Sequence, residues 1–444
     1  MKILLLSPCQ DPAHKTPGPL RIPQIALQVL AGLTDRRHDV RIVEEEFEEI
    51  DRSLEADLVG LSLMTANSTR GYELADHFRR RGATVVLGGI HPTILPEEAL
   101  RHADAVVVGE AEEVWPELLA DVERGALKRT YEGVGVPKLS GLPFPRRSLG
   151  PHRRFRGILP VMTTRGCPFA CEFCSTSRVY GRKVRTYDVD WVVEDIRRSG
   201  GKRFLFLDDN VIAAPAFARE LFAALKPLDI RWVGQASMTF AMREDLMRLA
   251  YESGCRALFF GMETVSEASM ERMKKCFRDL DDVAAAVGRI QAAGVAFHAS
   301  VVFGFDSDDT DIFDATVDFL LKCRVFSTTL NVLTPYPGTE VFDRYRAEGR
   351  LFSEAWEHYD HSTVVFRPAG MSPRELAEGQ RHARRRFYGL GSIARRFPCH
   401  RKVPIFYSGL NLAMRSAARR ARLPLAPGGE GLGRFVAPVA AASD

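Results

Sequence analysis

Short apolar runs separated by longer amphipathic ones fill most of this 444-residue chain. Before residue 125, KILLLS (2–7), DVRIV (39–43), DLVGLS (57–62), TVVLG (84–88) and DAVVV (104–108) are short and continuously apolar, which predicts buried parallel strands. Between them, PQIALQVLAGLTDRR and STRGYELADHFRRRG carry apolar residues at helical spacing. Strands alternating with helices of this length make βαβ units, and so predict a doubly wound, Rossmann-like parallel sheet. From 158 to 350 the alternation resumes, with strands predicted at 158–164, 203–209, 230–236, 255–261, 296–304 and 328–334. Six consecutive units of this kind predict a partial (β/α)6 barrel.

Three other stretches break the rhythm. Residues 126–157 are rich in Pro, Gly and Arg and read as a linker between domains 1–125 and 158–350. Residues 351–424 read as a basic helical region, and 425–444, with turn formers and no periodicity, as a disordered tail.

Composition adds little until its distribution is considered. With 45% hydrophobic and 27% charged residues the chain can bury a large core. The opening MKILLLSPCQDP lacks an extended apolar core and a cleavage site, so it reads as a first strand, not a signal peptide. No run approaches the roughly 20 apolar residues that span a bilayer, and the expected location is the cytoplasm. The net charge of +4 hides eleven Arg and one Lys between Arg381 and Gly429, with no acid among them. Such a run is either a solvated helix face or a contact for an anionic partner, a phosphorylated or carboxylated substrate or a membrane surface. Nucleic acid fits less well, because the basic residues are not interleaved with stacking aromatics in the pattern of a known nucleic-acid-binding module. Within this run IFYSGLNLAMRSAARRARL fits a core-packing helix as well as one that lies on a membrane or covers an active site.

The candidate chemistry is concentrated in RGCPFACEFCSTS, 165–177. Cys167, Cys171 and Cys174 are three of eight cysteines, and the other five (Cys9, Cys255, Cys276, Cys323, Cys399) form no disulfide framework. Four thiolates would saturate a structural zinc or an iron–sulfur cubane, whereas three leave a coordination position open. A zinc completed by a distant His is the alternative, with no His inside the loop. The loop follows the first predicted barrel strand, on the face where barrels carry their chemistry. In the first domain, Gly88-Gly89-Ile90-His91-Pro92 and Gly109-Glu110-Ala111-Glu112 fall at the carboxyl ends of strands, where doubly wound sheets bind ligands. No GxGxxG follows the first strand, so a dinucleotide is not expected.

Cys167-x3-Cys171-x2-Cys174, with Phe173 before the last cysteine, resembles the signature of the radical S-adenosylmethionine (SAM) superfamily. The resemblance implies a [4Fe–4S] cluster on the three cysteines, whose open iron binds SAM. Reductive cleavage would then give a 5′-deoxyadenosyl radical that abstracts hydrogen from substrate, using electrons from a donor such as ferredoxin or flavodoxin. Asp208-Asp209-Asn210, Glu263, Gly304 and Pro335 resemble the family's SAM-holding elements, although the turn Met262-Glu263-Thr264-Val265 departs from the usual Gly-Ile-Glu-Ser-Gly. The first domain resembles the cobalamin-binding domain fused upstream of the cluster in one class of these enzymes. The implied cobalamin contacts are the end of the third strand (Ser62 beside Leu63), Gly88, Gly89, His91, Gly109, Glu110 and Glu112. The Asp-x-His-x-x-Gly loop of cobalamin modules is missing: Asp11, His14 and Gly18 are wrongly spaced.

The class implies C-methylation of an unactivated carbon in a small biosynthetic intermediate or lipid-like substrate, with methylcobalamin as donor. A radical SAM cyclisation or rearrangement without methyl transfer, and a non-catalytic iron–sulfur and corrinoid-binding protein, are the alternatives. Peripheral membrane contact through the basic region is a further expectation.

Overall fold

The computed structural model describes residues 1–13, 15, 21–133, 139–151, 157–273, 276–277, 279–400 and 403–436. The chain divides into two compact units. One holds Met1–Ala170 and Cys174–Gly234, the other Cys171–Phe173 and Gln235–Asp444.

In the first unit, β1 (Lys2–Ser7), β2 (Asp39–Glu44), β3 (Leu58–Ser62), β4 (Thr84–Gly88), β5 (Ala105–Val108) and β6 (Thr130–Glu132) form one parallel sheet, ordered β2-β1-β3-β4-β5-β6. Buried side chains pack on both faces. Leu4, Leu6, Val59 and Leu61 face helix Ser68–Arg80, while Ile3, Leu5, Val86 and Val107 face helices Ile25–Leu33 and Trp115–Glu123. Covering both faces is what makes these strands apolar throughout. The doubly wound expectation holds, and β6, three residues inside the predicted linker, is an addition.

The described part of that linker is packed, not loose. Phe144 stacks on Trp191 with ring centroids 5.1 Å apart, and the Trp191 indole N–H reaches the Leu142 carbonyl at 2.8 Å. Arg147, buried, forks onto Asp195 at 2.9 and 2.6 Å. These contacts tie 139–151 to helix Val189–Ser199, which explains why the compact unit runs past the expected boundary. The same unit contains β7 (Leu159–Val161), the antiparallel pair β8 (Thr164–Arg165) and β9 (Arg185–Thr186), β10 (Arg203–Phe206) and most of β11 (Arg231–Ala236). There β10 lies parallel between β7 and β11.

In the second unit, β12 (Cys255–Glu263), β13 (Ala296–Phe303) and β14 (Ser327–Val332) run parallel in that order. These are the later strands of the second parallel sheet, whose edge is β14. One face, with Phe260, Phe297, Val301 and Phe303 buried, packs against helices; the other carries Phe259, His298, Ser300, Thr329 and Asn331.

The helical third segment closes the β14 edge. An exposed strand edge leaves a row of backbone groups unbonded. Here Phe326 O accepts from Arg396 and Asn411 at 3.1 and 3.2 Å. The Tyr388 hydroxyl both receives Thr328 N–H and donates to Thr328 O, at 3.1 and 2.6 Å. Gln380 donates to Leu330 O at 2.7 Å, and Val332 N–H reaches His361 O at 2.8 Å. Helix Pro373–Phe387, which supplies Gln380, starts at a capping box made by Ser372 and Glu375. Helix Pro404–Arg420 packs through Tyr407, Asn411 and Ala418, while Ile405 stands 88% exposed.

The tail expected from 425 is held down as far as it is described. Leu425 bridges Val364, Ala426 is buried, and Phe435 N–H reaches Pro368 O at 2.7 Å. Residues 437–444, and His14 and Gly18, lie outside the described residues. Among the described residues no helix is long and apolar enough to cross a membrane.

Arg396 is fully buried and has no ion pair among the described residues; its guanidinium lies 3.9 Å from the Phe387 ring and donates to Val325 O, Phe326 O, Phe387 O and Asn411. Arg396→Met would strand several buried acceptors, so we expect a loss of about 2–4 kcal/mol in urea unfolding of the full chain. An unchanged midpoint would show that this clamp does not hold the edge.

Candidate functional site

The order of the first sheet reverses beside β1, which has β2 on one side and β3 on the other. In a doubly wound sheet a ligand binds outside the carboxyl ends of strands at such a point. Ser62, Gly88 and Gly109 all end or follow strands on this side. Gly89 has φ 98°, and a Cβ there would lie 2.6 Å from Leu63 O, so the turn itself requires glycine. Gly109 has φ 83°, and among the described residues only Gly133 O, at 3.9 Å, lies near its missing side chain. That leaves its backbone approachable by a bulky ligand.

Three of the residues assigned to cobalamin are committed elsewhere. The His91 ring is fully buried, with its nitrogens 3.3 Å from Thr65 Oγ1 and 3.1 Å from Glu98 Oε1. It therefore braces the domain interior and is not a surface contact. Glu110 and Glu112 are ion-paired: Arg165 binds Glu110 and, at 2.5 Å, Glu112, while Arg185 also binds Glu110. The Tyr187 hydroxyl lies 3.1 Å from Arg165. Burial alone would depress the Arg165 guanidinium, but the two carboxylates hold it well above its ordinary range. Burial likewise pushes the Tyr187 phenol up to about 12. The two acids are thus spent on orienting the strand pair that leads into the cysteine loop, a role that spacing alone did not reveal. The sequence signal for it is slight: TTRGC, a polar run directly after an apolar strand.

The cysteine loop is anchored at both flanks. Gly166 has φ 88°, and a Cβ would lie 2.6 Å from Lys183 O, so no other residue fits there without displacing backbone. Asp209 accepts a hydrogen bond from Gly166 N–H, just before Cys167, and another from Thr176 Oγ1 at 3.1 Å, just after Cys174. Within the second unit, Glu172 pairs with Arg344 at 2.9 Å and its carbonyl accepts from Val341 N–H at 3.3 Å. The Phe173 and Phe305 rings are 6.0 Å apart. Cys167, Cys171 and Cys174 are half-buried and form no disulfide. Among the described residues no three His, Cys, Asp or Glu side chains are already gathered as a metal site. The donor chemistry nevertheless fits: three thiols outside any disulfide, within eight positions of one loop, suit an iron–sulfur cluster.

Strand β10 ends at Phe206, so Asp208, Asp209 and Asn210 lie in the turn at its carboxyl end. Asp208 is buried, and its Oδ1 accepts from Thr163 N–H and Oγ1 at 3.0 and 2.8 Å and from Thr164 N–H. Its Oδ2 has no hydrogen-bond partner among the described residues. Burial pushes this carboxyl up to about 6. A buried carboxylate oxygen without a partner is costly, and a ligand ammonium would relieve it. Asn210 closes the turn onto Ile212 N–H at 3.4 Å.

Glu263 has φ 69°, rare for a residue other than glycine, at a register shift in β12. Strain of this kind gathers at functional positions. Gly304, at φ 103°, and Phe305 donate backbone N–H groups to Asp308 at 2.9 and 3.1 Å. Asp308, pushed up to about 7 by burial, has no counterpart in the sequence reading. Pro335 is buried at the start of a turn that ends in Thr339, the N-cap of helix Glu340–Ala347.

Comparison with known proteins agrees with this layout. Residues 19–119 match the B12 binding domain and residues 161–320 the Radical SAM superfamily. The chain is 31% identical over 382 residues to bacteriochlorophyllide d C-12(1)-methyltransferase of Chlorobaculum tepidum, covering 83% of each. It is 31% identical over 368 residues to the C-8(2)-methyltransferase of the same organism, covering 79% of this chain and 82% of the relative. The radical SAM methyltransferase TsrM from Kitasatospora setae, solved with cobalamin and a [4Fe–4S] cluster, shares the fold. Its TM-score is 0.68 at 16% identity, over 90% of this chain and 89% of that one.

If the free Asp208 oxygen receives the SAM ammonium, only the ionised carboxyl does so. We predict that SAM affinity, measured by calorimetry, rises as pH passes upward through about 6. Asp208→Asn should weaken it roughly 10- to 100-fold and flatten that dependence. Equal affinity in both proteins would remove Asp208 from the site.

Proposed function

The chain belongs to the radical SAM enzymes that carry a cobalamin-binding domain, and from that premise we propose that it transfers a methyl group to an unactivated carbon of a small-molecule intermediate. The observation that carries this reading is the 31% identity to two methyltransferases, in each case across most of both chains. The cofactors of the family are a [4Fe–4S] cluster, SAM and cobalamin. When bound, the cluster and SAM supply a carbon-centred radical and cobalamin supplies a methyl donor. A carbon that is no nucleophile needs both.

In this proposal Cys167, Cys171 and Cys174 hold the cluster, gathered on it as it binds. Asp209 positions their loop. Asp208, with Glu263, Gly304, Pro335, Phe173 and the Asn210 turn, receives SAM. The carboxyl ends of β3, β4 and β5, with Gly88, Gly89 and the backbone at Gly109, would hold the cobalamin. Arg165, Glu110 and Glu112 fix the strand pair entering the loop. An electron donor such as ferredoxin or flavodoxin provides electrons, in the cytoplasm. Contact with a lipid surface, where it occurs, is peripheral and uses the exposed Ile405 and Leu412 beside the arginine run.

The test needs no knowledge of the substrate. The anaerobically reconstituted protein, loaded with reduced cobalamin, is given SAM carrying a trideuterated methyl group, and the bound corrinoid is analysed by mass spectrometry. The proposal predicts labelled methylcobalamin, and Cys171→Ala should at the same time lose 5′-deoxyadenosine formation. Bound corrinoid that never acquires label, with SAM still cleaved, would favour rearrangement chemistry. Undiminished cleavage in Cys171→Ala would overturn the cluster assignment.

A further inference from the structure

The run of arginines that closes the β14 edge is not uniformly spent on that task. Arg396 and Arg385 bind backbone carbonyls, and Arg386 pairs with Asp314 and Asp318. Arg381, Arg384 and Arg422 do neither. They line one hollow of about 240 Å³ between helix Pro373–Phe387 and the end of helix Pro404–Arg420. None of the three side chains has an ion pair or hydrogen bond to another described residue.

The hollow has one acid in its wall, Asp360, and its carboxylate is engaged. Its Oδ1 accepts from Ser362 and Thr363 N–H at 2.9 and 2.7 Å, and its Oδ2 from Thr363 Oγ1 at 3.2 Å. Three guanidinium groups therefore face one carboxylate that is tied to its own turn, and the hollow is left electropositive. Burial pushes the Arg384 guanidinium down, the direction expected of a cation held from water without a counter-ion. A half-buried, unpaired cation costs free energy that an anion would recover. Planar guanidinium forks suit carboxylate or phosphate oxygens in particular.

The position of the hollow is equally specific. The neighbouring residue in the same turn, His361, receives the N–H of Val332, the last residue of β14. The hollow therefore adjoins the carboxyl end of that strand, the end at which barrels carry their chemistry. Helix Pro404–Arg420 contributes Ala418, and its C-cap Ala421, to this side, with Ala418 about 120–140° around the axis from exposed Leu412 and Ile405. The hollow is thus separate from any lipid-facing surface.

We propose that this hollow is a binding site for the carboxylate or phosphate group of a small molecule, held by Arg381, Arg384 and Arg422. It goes beyond the methyl-transfer reading and does not depend on it.

Inorganic pyrophosphate and glutarate, titrated separately into the full chain by calorimetry at low and moderate salt, distinguish the two anion chemistries. The expected result is one saturable site per chain for at least one probe, weaker at higher salt. Arg384→Gln and Arg422→Gln should each weaken it at least tenfold. Arg422 is exposed, so its variant tests the site even if loss of Arg384 impairs folding. Arg384→Lys, which keeps charge but loses the fork, should be intermediate. No saturable binding to the wild type, or equal binding in both Gln variants, would overturn the proposal. So would arginine-dependent sedimentation with phosphatidylglycerol vesicles when neither free anion binds. 5′-Deoxyadenosine formation, measured alongside, reports separately on the radical chemistry.

Discussion

An open parallel sheet has to satisfy the backbone of its last strand, and in this protein that requirement governs the C-terminal third of the chain. Among the described residues no further strand pairs beyond β14, yet Phe326, Thr328, Leu330 and Val332 each find a partner. The partners are side chains of Gln380, Tyr388, Arg396 and Asn411 and one loop carbonyl, so the closing element must be helical, polar on one stripe and precisely docked. Arginine suits the task because its five donors can meet several carbonyls at once. The basic composition of this region is therefore partly architectural, and the arginines left over are the ones that gather around an electropositive hollow.

The first unit is governed by a different constraint, the buried charges at the entrance to the cysteine loop. Arg165 and Arg185 against Glu110 and Glu112 make a compact, nearly balanced cluster. Buried pairs of this kind add little net stability compared with apolar packing, but losing one partner is costly. What they do provide is orientation. Together with Asp209, which bonds on both sides of the loop, they fix where the chain enters and leaves the cysteine stretch.

Much of this was legible in the sequence. Short apolar runs between stretches of helical periodicity located eleven strands, because the strands of a covered parallel sheet are largely apolar. The cysteine loop was legible because its spacing carries its chemistry. β6, β8 and β9 were missed: two or three residues give no period, and TYE lies in a stretch dominated by Pro, Gly and Arg. Glu110, Glu112 and His91 were assigned to a ligand because strand-end position is visible in sequence, whereas a partner such as Arg165, 53 residues away, is not. The ordered 425–436 segment was missed for the same reason, since its partners, Val364 and Pro368, are distant in sequence.

The central claim is that one chain holds a corrinoid and an iron–sulfur cluster together. Anaerobic reconstitution with iron, sulfide and hydroxocobalamin, followed by desalting and quantitation of both, tests it directly. About one corrinoid for each [4Fe–4S] cluster is the expected result. A full complement of cluster with no retained corrinoid would contradict it, leaving the first domain without its cofactor and methyl transfer without a donor.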